Sequence, residues 1–80
     1  MKAVIHNADI RGVERKTNAK GDGYLLVRYE EDKTGKPQSL VDKDLSREDD
    51  YVKGTIMDLT IDIDQGRSFT NIRIVDARRV

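Results

Sequence analysis

The sequence predicts an all-β fold, a small five-stranded antiparallel barrel with hairpin connections and little helix. Apolar and polar residues alternate with a period of two over Tyr24–Glu31 and over Thr55–Ile63, which is typical of half-buried strands. A helical pattern is limited to one short stretch near the middle of the chain. A single sheet of this length must therefore curl around its own core, which favours a closed or partly open barrel of the OB-like type.

The first strand is predicted over Lys2–Arg11. Alternation places Val4, His6, Ala8 and Ile10 on its inward face. The chain then becomes polar, and residues 15–23 contain no apolar side chain larger than that of alanine. The glycines and turn-forming residues of this segment indicate either an exposed, mobile loop or a hairpin wing.

The second strand is predicted over Tyr24–Glu31, where one side is wholly apolar and should face the core. That inward side consists of Leu25, Val27 and Tyr29. The outward side then consists of Tyr24, Leu26, Arg28 and Glu30. An aromatic ring and a guanidinium group are thus expected on the same outer surface.

The middle of the chain is predicted to contain a turn, a short strand and a polar connection. Gly35 fits the left-handed position of a turn over residues 32–36, and Pro37 fits only a strand start or an edge. A third strand is expected over Gln38–Val41. Residues 42–53 form a locally acidic connection, with one helical turn around residues 45–48.

The last two strands are predicted to form a hairpin over residues 54–76. Thr55–Ile63 alternates with its odd positions apolar from Met57 onward, and Gly66 supplies the positive φ that a hairpin turn needs. Alternation resumes over Ser68–Val75, with Ile72 and Ile74 inward. Phe69 and Arg73 then share the outer face, four residues apart like Tyr24 and Arg28.

Composition limits the classes of function. The 80 residues make one small domain, and 15 Lys+Arg against 15 Asp+Glu give a formal net charge of zero, so any basic site must be local. The absence of cysteine excludes disulfides and thiolate chemistry. The N-terminus does not resemble a signal peptide and no apolar run reaches the ~20 residues of a membrane span. We expect a soluble cytoplasmic protein with no membrane contact.

Catalytic and metal sites are not expected. The single histidine, His6, has no neighbouring hydroxyl for a nucleophilic triad, and one histidine without cysteine cannot build a zinc site. Asp58, Asp62 and Asp64 share one strand face and could bind a divalent ion, but a solvated strand face that ends in an Asp-initiated turn is the favoured explanation. The sequence therefore predicts no enzyme, no catalytic residue, no metal and no cofactor.

Single-stranded nucleic-acid binding is the function that the outer residues favour. Such sites combine aromatic faces, on which bases stack, with cations that follow the phosphates. Tyr24 and Phe69 would supply the faces, while Arg28 and Arg73 could reach phosphates. The basic wing adds Arg15, Lys16 and Lys20. The alternative is that the two aromatic rings fill a second hydrophobic cluster or a dimer contact.

Three segments together resemble one protein family. They are residues 21–26 after a basic polar loop, residues 51–55 opening a long alternating strand, and residues 66–75 near the end. In order and spacing they are similar to the filamentous-phage gene-five single-stranded-DNA-binding proteins. The resemblance implies an OB barrel that coats single-stranded DNA during phage or mobile-element replication in a bacterial host, with RNA as a second possible ligand. It also implies a homodimer built through the 54–76 hairpin.

The resemblance also implies roles for individual residues. Tyr24 corresponds to the stacking tyrosine of that family and Leu26 to a contact beside it. Phe69 matches an aromatic residue at the tip of the late hairpin, where it would stack on bases bound by the partner subunit. Arg73 lies near a family arginine. The acidic residues of 42–50 depart from the family pattern, because a DNA-binding protein would have cations there.

Two further classes of function remain open. The surface around Tyr24 and Phe69 could bind a protein, as in a small phage or plasmid inhibitor, with the acidic loop imitating nucleic acid. A purely structural subunit is the other alternative. Salt separates the classes, because phosphate contacts weaken steeply as salt rises and an apolar protein interface does not.

Overall fold

The chain folds into a closed barrel of five strands. The computed structural model describes residues 1–66 and 70–80. In chain order the strands are β1 (Lys2–Thr17), β2 (Gly23–Glu30), β3 (Pro37–Asp42), β4 (Ile56–Gln65) and β5 (Thr70–Arg79). A 3-10 helix covers Leu45–Asp50, between β3 and β4. The prediction of a small OB-like barrel with little helix is confirmed.

One pair of strands runs parallel. Around the barrel the order is β1-β2-β3-β5-β4, and β4 closes the ring against β1. All neighbours are antiparallel except β3 and β5, which pair in parallel where Val41 meets Arg73 and Asp42 meets Ile74. The prediction of a purely antiparallel barrel is therefore wrong. A closed ring with an odd number of strands cannot alternate in direction throughout, so at least one parallel pair is unavoidable.

The core consists mainly of the inward residues of β2 and β4. The side predicted to be inward on β2 is buried, and so are Met57, Leu59 and Ile61 of β4. The complete set of buried hydrophobic residues is Ala8, Ile10, Leu25, Val27, Tyr29, Tyr51, Met57, Leu59, Ile61 and Ile74. Because these two strands are buried as predicted, their alternate residues lie on the outside of the barrel.

β1 changes its inward face twice, and the sequence pattern did not reveal this. Ala8 and Ile10 are fully buried as predicted, but Val4 is 46% exposed. His6 is exposed as well, so its predicted inward position is wrong. The cause is a bulge at Asn7, which has φ 56°, where the pairing with β4 shifts register. A second shift, in the pairing with β2, follows Ile10.

The basic segment before β2 is a hairpin wing. β1 continues to Thr17 and pairs with β2 up to the end, where Thr17 faces Gly23. The side-chain Oδ1 of Asn18 accepts hydrogen bonds from the backbone amides of Lys20 and Asp22 at 2.9 and 3.0 Å. Of the two predicted forms, loop or wing, the structure has the wing, with a short ordered turn over residues 18–22.

The centre of the chain closely follows the prediction. Gly35 adopts φ 63° in the turn between β2 and β3, and β3 begins at Pro37. The predicted helical turn is the 3-10 helix, where the carboxylate of Asp44 accepts a hydrogen bond from the amide of Ser46 at 3.0 Å. The polar connection is thus an ordered segment and not an open loop.

β5 is longer than predicted and less buried at its beginning. Ile74 is 2% exposed, as expected of a core residue, whereas Ile72 is 41% exposed. The prediction that both isoleucines lie in the core is therefore wrong for Ile72. β3 reaches β5 only at Val41 and Asp42, so the earlier part of β5 extends beyond the barrel. The predicted outward position of Phe69 lies outside the described residues.

The length and apolarity of the helices decide whether one of them could span a membrane. Within residues 1–66 and 70–80, no helix has the length and apolar character of a membrane span.

Candidate nucleic-acid interface

The outer side of β2 presents the side chains that its alternation predicts. Tyr24 and Leu26 are half-buried and Arg28 is exposed, whereas Leu25 and Val27 between them are fully buried. Because strict alternation is maintained along β2, the ring and the guanidinium group lie on the same surface of the barrel. The outward direction of Tyr24, Leu26 and Arg28 is therefore confirmed.

Neighbouring strands extend this surface. Leu26 pairs with Val41 of β3 on one side and with Glu14 of β1 on the other. Residues directly opposite each other in a sheet point to the same face, so Val41 joins the apolar stripe. We call this surface the β2–β3 face, and define it by the apolar residues Tyr24, Leu26 and Val41 and the flanking cations Lys16, Arg28, Lys43 and Arg73.

Two neighbouring depressions lie on the β2–β3 face. A groove of about 380 Å³ lies beside the β1–β2 turn and is lined by Asn18, Asp22, Gly23, Tyr24, Val41 and Lys43. A smaller depression of about 150 Å³ is lined by Val41, Lys43, Asn71, Ile72 and Arg73. Because the two share Val41 and Lys43, they join β5 to the turn of the wing.

Carboxylates neutralise most of the cations on this surface. Lys16 Nζ lies 3.6 Å from Glu14, and Nη1 of Arg28 donates to Oε1 of the same carboxylate. Arg73 lies 3.5 Å from Asp62 of β4. The hydrogen bond from Arg28, and then the charges of Arg28 and Lys16, lower the pKa of Glu14 below its usual value. Glu14 is thus an anion at neutral pH.

Lys43 of the β2–β3 face and Lys20 beside it are placed differently from these paired cations. Lys20 lies in the exposed turn of the wing, and exposed Lys43 follows β3 and lines both depressions. Neither forms an ion pair with another of the described residues. These side chains are the cations most readily available to an anionic ligand.

The basic wing is divided by the pleat of β1. Lys16 pairs opposite Tyr24 and belongs to the β2–β3 face. Arg15 points to the other side, where its Nη2 lies 3.0 Å from Glu48 of the 3-10 helix. Of the predicted site residues, the structure brings together Lys16, Tyr24, Leu26, Arg28 and Arg73, with Lys20 in the adjoining turn. It places Arg15 at the barrel end, and Phe69 lies outside the described residues.

Of the residues considered for catalysis and metal binding, His6, Asp58 and Asp62 have structural contacts. Nδ1 of His6 lies 3.5 Å from Asp58, and Asp58 accepts a hydrogen bond from the amide of Asn7 at 3.1 Å, which fixes the bulge in β1. Asp62 lies 3.5 Å from the N-terminal amine as well as from Arg73. Among the residues that the structure describes, no group of three or more acidic, histidine or cysteine side chains is arranged to bind a metal ion.

The segment 42–50 contains a buried polar network. Asp42 is fully buried, and its carboxylate accepts two hydrogen bonds from Nη1 of Arg47, at 2.9 and 3.1 Å, and one from the hydroxyl of Tyr51 at 2.6 Å. Nη2 of Arg47 donates to the carbonyl of Val75 at 2.7 Å. Arg47 therefore ties the connection after β3 to β5, at the point where the strand pairing ends.

This network and its surroundings give structural roles to several acidic residues of segment 42–50. Asp42 is neutralised inside the protein, Asp44 caps the 3-10 helix, and Glu48 pairs with Arg15. Burial, and then the hydrogen bond to Asp42, raise the pKa of Tyr51 above its usual value, so the hydroxyl stays protonated as a donor. Three of the five acidic side chains of residues 42–50 thus have structural partners, and they do not form a repulsive surface beside the β2–β3 face.

Sequence reasoning missed Val41, Lys43, Glu14 and the Asp42 network. Val41 lies at the end of a short strand whose faces were not assigned, and Lys43 belongs to a segment judged by its acidity. The alternation of β2 combined with its pairing to β3 could have identified Val41, because it is opposite Leu26. No local pattern connects Asp42 with Arg47 and Tyr51.

The chain was also compared with known proteins. No family model matches it, and neither a curated protein sequence nor a solved structure matches it significantly.

Proposed function

We propose that the protein binds single-stranded nucleic acid, with DNA as the primary ligand and RNA as the second, on the β2–β3 face and without sequence preference. The observation that supports this most strongly is the half-exposed stripe of Tyr24, Leu26 and Val41 with cations on both sides. In five-stranded OB barrels, strands 2 and 3 and the β1–β2 and β4–β5 connections bind oligonucleotides. The stripe occupies the first of these positions.

Stacking would supply most of the affinity. Base-to-aromatic stacking contributes about 1–3 kcal/mol per base and tolerates any base, since every base has a π face. Tyr24 lies in the wall of the groove, where a base could enter beside Val41. Arg28, Lys43 and Arg73 lie around the stripe at positions suited to phosphates. Stacking on an aromatic face combined with contacts to phosphates favours binding without sequence preference.

Truncation of Tyr24 tests the proposal. Tyr24→Ala should weaken binding of a labelled oligo-dT of about 20 nucleotides by about 1–3 kcal/mol, because one stacking platform is lost. Fluorescence anisotropy measures the affinity, and the thermal unfolding curve shows whether the fold is kept. Phe69→Ala is expected to have the same effect.

Val4→Ala is the matched control for Tyr24→Ala. It also truncates an outward-facing apolar side chain, which is 46% exposed, but Val4 lies in the first part of β1, where the strand pairs with β4 and not with β2. It should leave the affinity unchanged. Equal losses in the two variants, or no binding by the wild-type protein at low salt, would contradict the proposed face and would favour a protein interface there.

The homodimer is part of the same proposal. Residues 70–72 of β5 pair with β4 and have no strand neighbour on their other side among the described residues, and Ile72 is 41% exposed. An unpaired strand edge with an exposed apolar residue is suited to a second copy of the chain. Sedimentation equilibrium should find a dimer, and a monomer at concentrations that saturate DNA binding would contradict this.

A further inference from the structure

One carboxylate lies inside the proposed binding surface and not at its border. Glu14 of β1 pairs opposite Leu26, in the middle of the β2–β3 face, and it interacts with two of the four cations that define this face. Oε1 accepts from Arg28, and Oε2 lies 3.6 Å from Nζ of Lys16. A ligand phosphate approaching Leu26 from β1 would meet this carboxylate first.

The absence of a side chain at Gly12 favours the position of Arg28 beside Glu14. Gly12 pairs opposite Arg28, and a Cβ atom at Gly12 would lie only 3.3 Å from Nη2 of Arg28. The bare backbone of β1 therefore leaves room for the guanidinium group to lie across the strand, towards Glu14. An alanine at this position would require the guanidinium group to move.

The interaction between Glu14 and its cations is easily exchanged. The side chains of Glu14, Arg28 and Lys16 are 42%, 51% and 45% exposed, so water competes with every contact. Exposed ion pairs of this kind change an equilibrium constant by only about twofold to fivefold. A guanidinium group binds a phosphate with the same paired donors that it offers to a carboxylate. A phosphate could thus take the place of Glu14 without any change in the fold.

We propose that Glu14 is a built-in competitor of the nucleic-acid backbone: its carboxylate occupies the position of a phosphate at Arg28 and Lys16, and a bound strand displaces it. This inference rests on the proposed function and names the regulation of the same site. The displaced carboxylate weakens the complex and speeds its release. In the free protein the carboxylate also neutralises two of the cations that the ligand would contact.

Glu14→Gln tests the inference. The amide keeps the size of the side chain but removes the charge, so Arg28 and Lys16 become available to phosphates. Binding of oligo-dT should become about fourfold to 25-fold tighter, since two exposed pairs are released. The slope of log affinity against log salt should become steeper by about 0.7 for each cation released. Fluorescence anisotropy over a series of salt concentrations measures both quantities.

Asp76→Asn is the matched control. Asp76 is a carboxylate with 43% exposure that pairs with Arg78 at 3.0 Å, and it lies on β5 opposite Thr60, outside the β2–β3 face. The substitution Asp76→Asn removes the same charge from the whole protein as Glu14→Gln does. An unchanged affinity in Asp76→Asn shows that a gain in Glu14→Gln is local.

The outcomes separate this inference from the proposed function. If wild-type protein binds and Glu14→Gln binds no more tightly, or gains no more than Asp76→Asn, the competitor role is overturned and the proposed function stands. If neither protein binds, both fall. When Arg28 is already replaced by Gln, Glu14→Gln should increase the affinity for oligo-dT only by the contribution of Lys16. An undiminished increase in affinity would also overturn the role assigned to Arg28.

Discussion

At the scale of single residues, the same type of ion pair has two different consequences in this protein. The pair between Arg15 and Glu48 is exposed and can be replaced by water. The pair between Arg47 and Asp42 is different, because the carboxylate side chain is 1% exposed and cannot be hydrated if its partner is removed. We therefore expect stability to depend on Arg47 far more than on Arg15.

Arg47→Met should destabilise the fold by about 3–5 kcal/mol, because it leaves a buried carboxylate without its cation. Arg15→Met, which removes a guanidinium group from an exposed pair, should cost less than about 1 kcal/mol. Urea unfolding followed by circular dichroism measures both free energies. For a domain of this size the first variant is expected to approach complete unfolding. Equal costs for the two variants would contradict the structural role of the Asp42 network.

At the scale of the strand, β1 shows why alternation alone is an incomplete guide to faces. Its pattern over Val4, His6, Ala8 and Ile10 is compatible with one inward face, yet the bulge at Asn7 reverses the sides. Ile5 packs against the core before the bulge, and Ala8 and Ile10 are buried after it. A single inserted residue exchanges inward and outward positions, because the side-chain period of a strand is two.

Substitution of Asn7 tests the bulge directly. Its φ of 56° is tolerated by Asn but is strained for a β-branched residue. Asn7→Val should cost about 1–2 kcal/mol, whereas Asn7→Gly should be close to neutral because glycine adopts this conformation readily. Thermal unfolding of the two variants measures the difference. Equal stabilities would mean that the backbone is not held in the left-handed region at this position.

The predictable part of the fold is the part without bulges. β2 and β4 keep strict alternation within the barrel, so the sequence identified their inward and outward residues correctly, including Tyr24 and Arg28. In β1 and β5 register shifts arise in the pairing with β4, and in β1 also in the pairing with β2, and no local pattern within either strand encodes them. Arg15 and Lys16 show the same limit. They were grouped in one wing, although neighbours on a strand point to opposite sides.

At the scale of the whole molecule, positive and negative charges are equal in number, so any attraction to nucleic acid depends on where the charged side chains lie. The formal net charge is zero, so long-range attraction to nucleic acid is weak and binding must depend on local contacts. On the β2–β3 face, Glu14 and Asp62 offset three of the four cations. We therefore expect an interface in which stacking contributes more than charge, and in which the carboxylates limit the affinity.

The most direct test of this binding surface is the affinity of wild-type protein for oligo-dT at about 50 mM and about 200 mM salt, with a duplex of equal length as the comparison. Among the described residues, five cations lie on or beside this face, namely Lys16, Lys20, Arg28, Lys43 and Arg73, so the slope of log affinity against log salt should lie between zero and about −3.5, at about 0.7 per contact for single strands. The single strand should bind much more tightly than the duplex. No binding at the lower salt concentration, or equal affinity for the duplex, would contradict single-strand recognition by the Tyr24 surface.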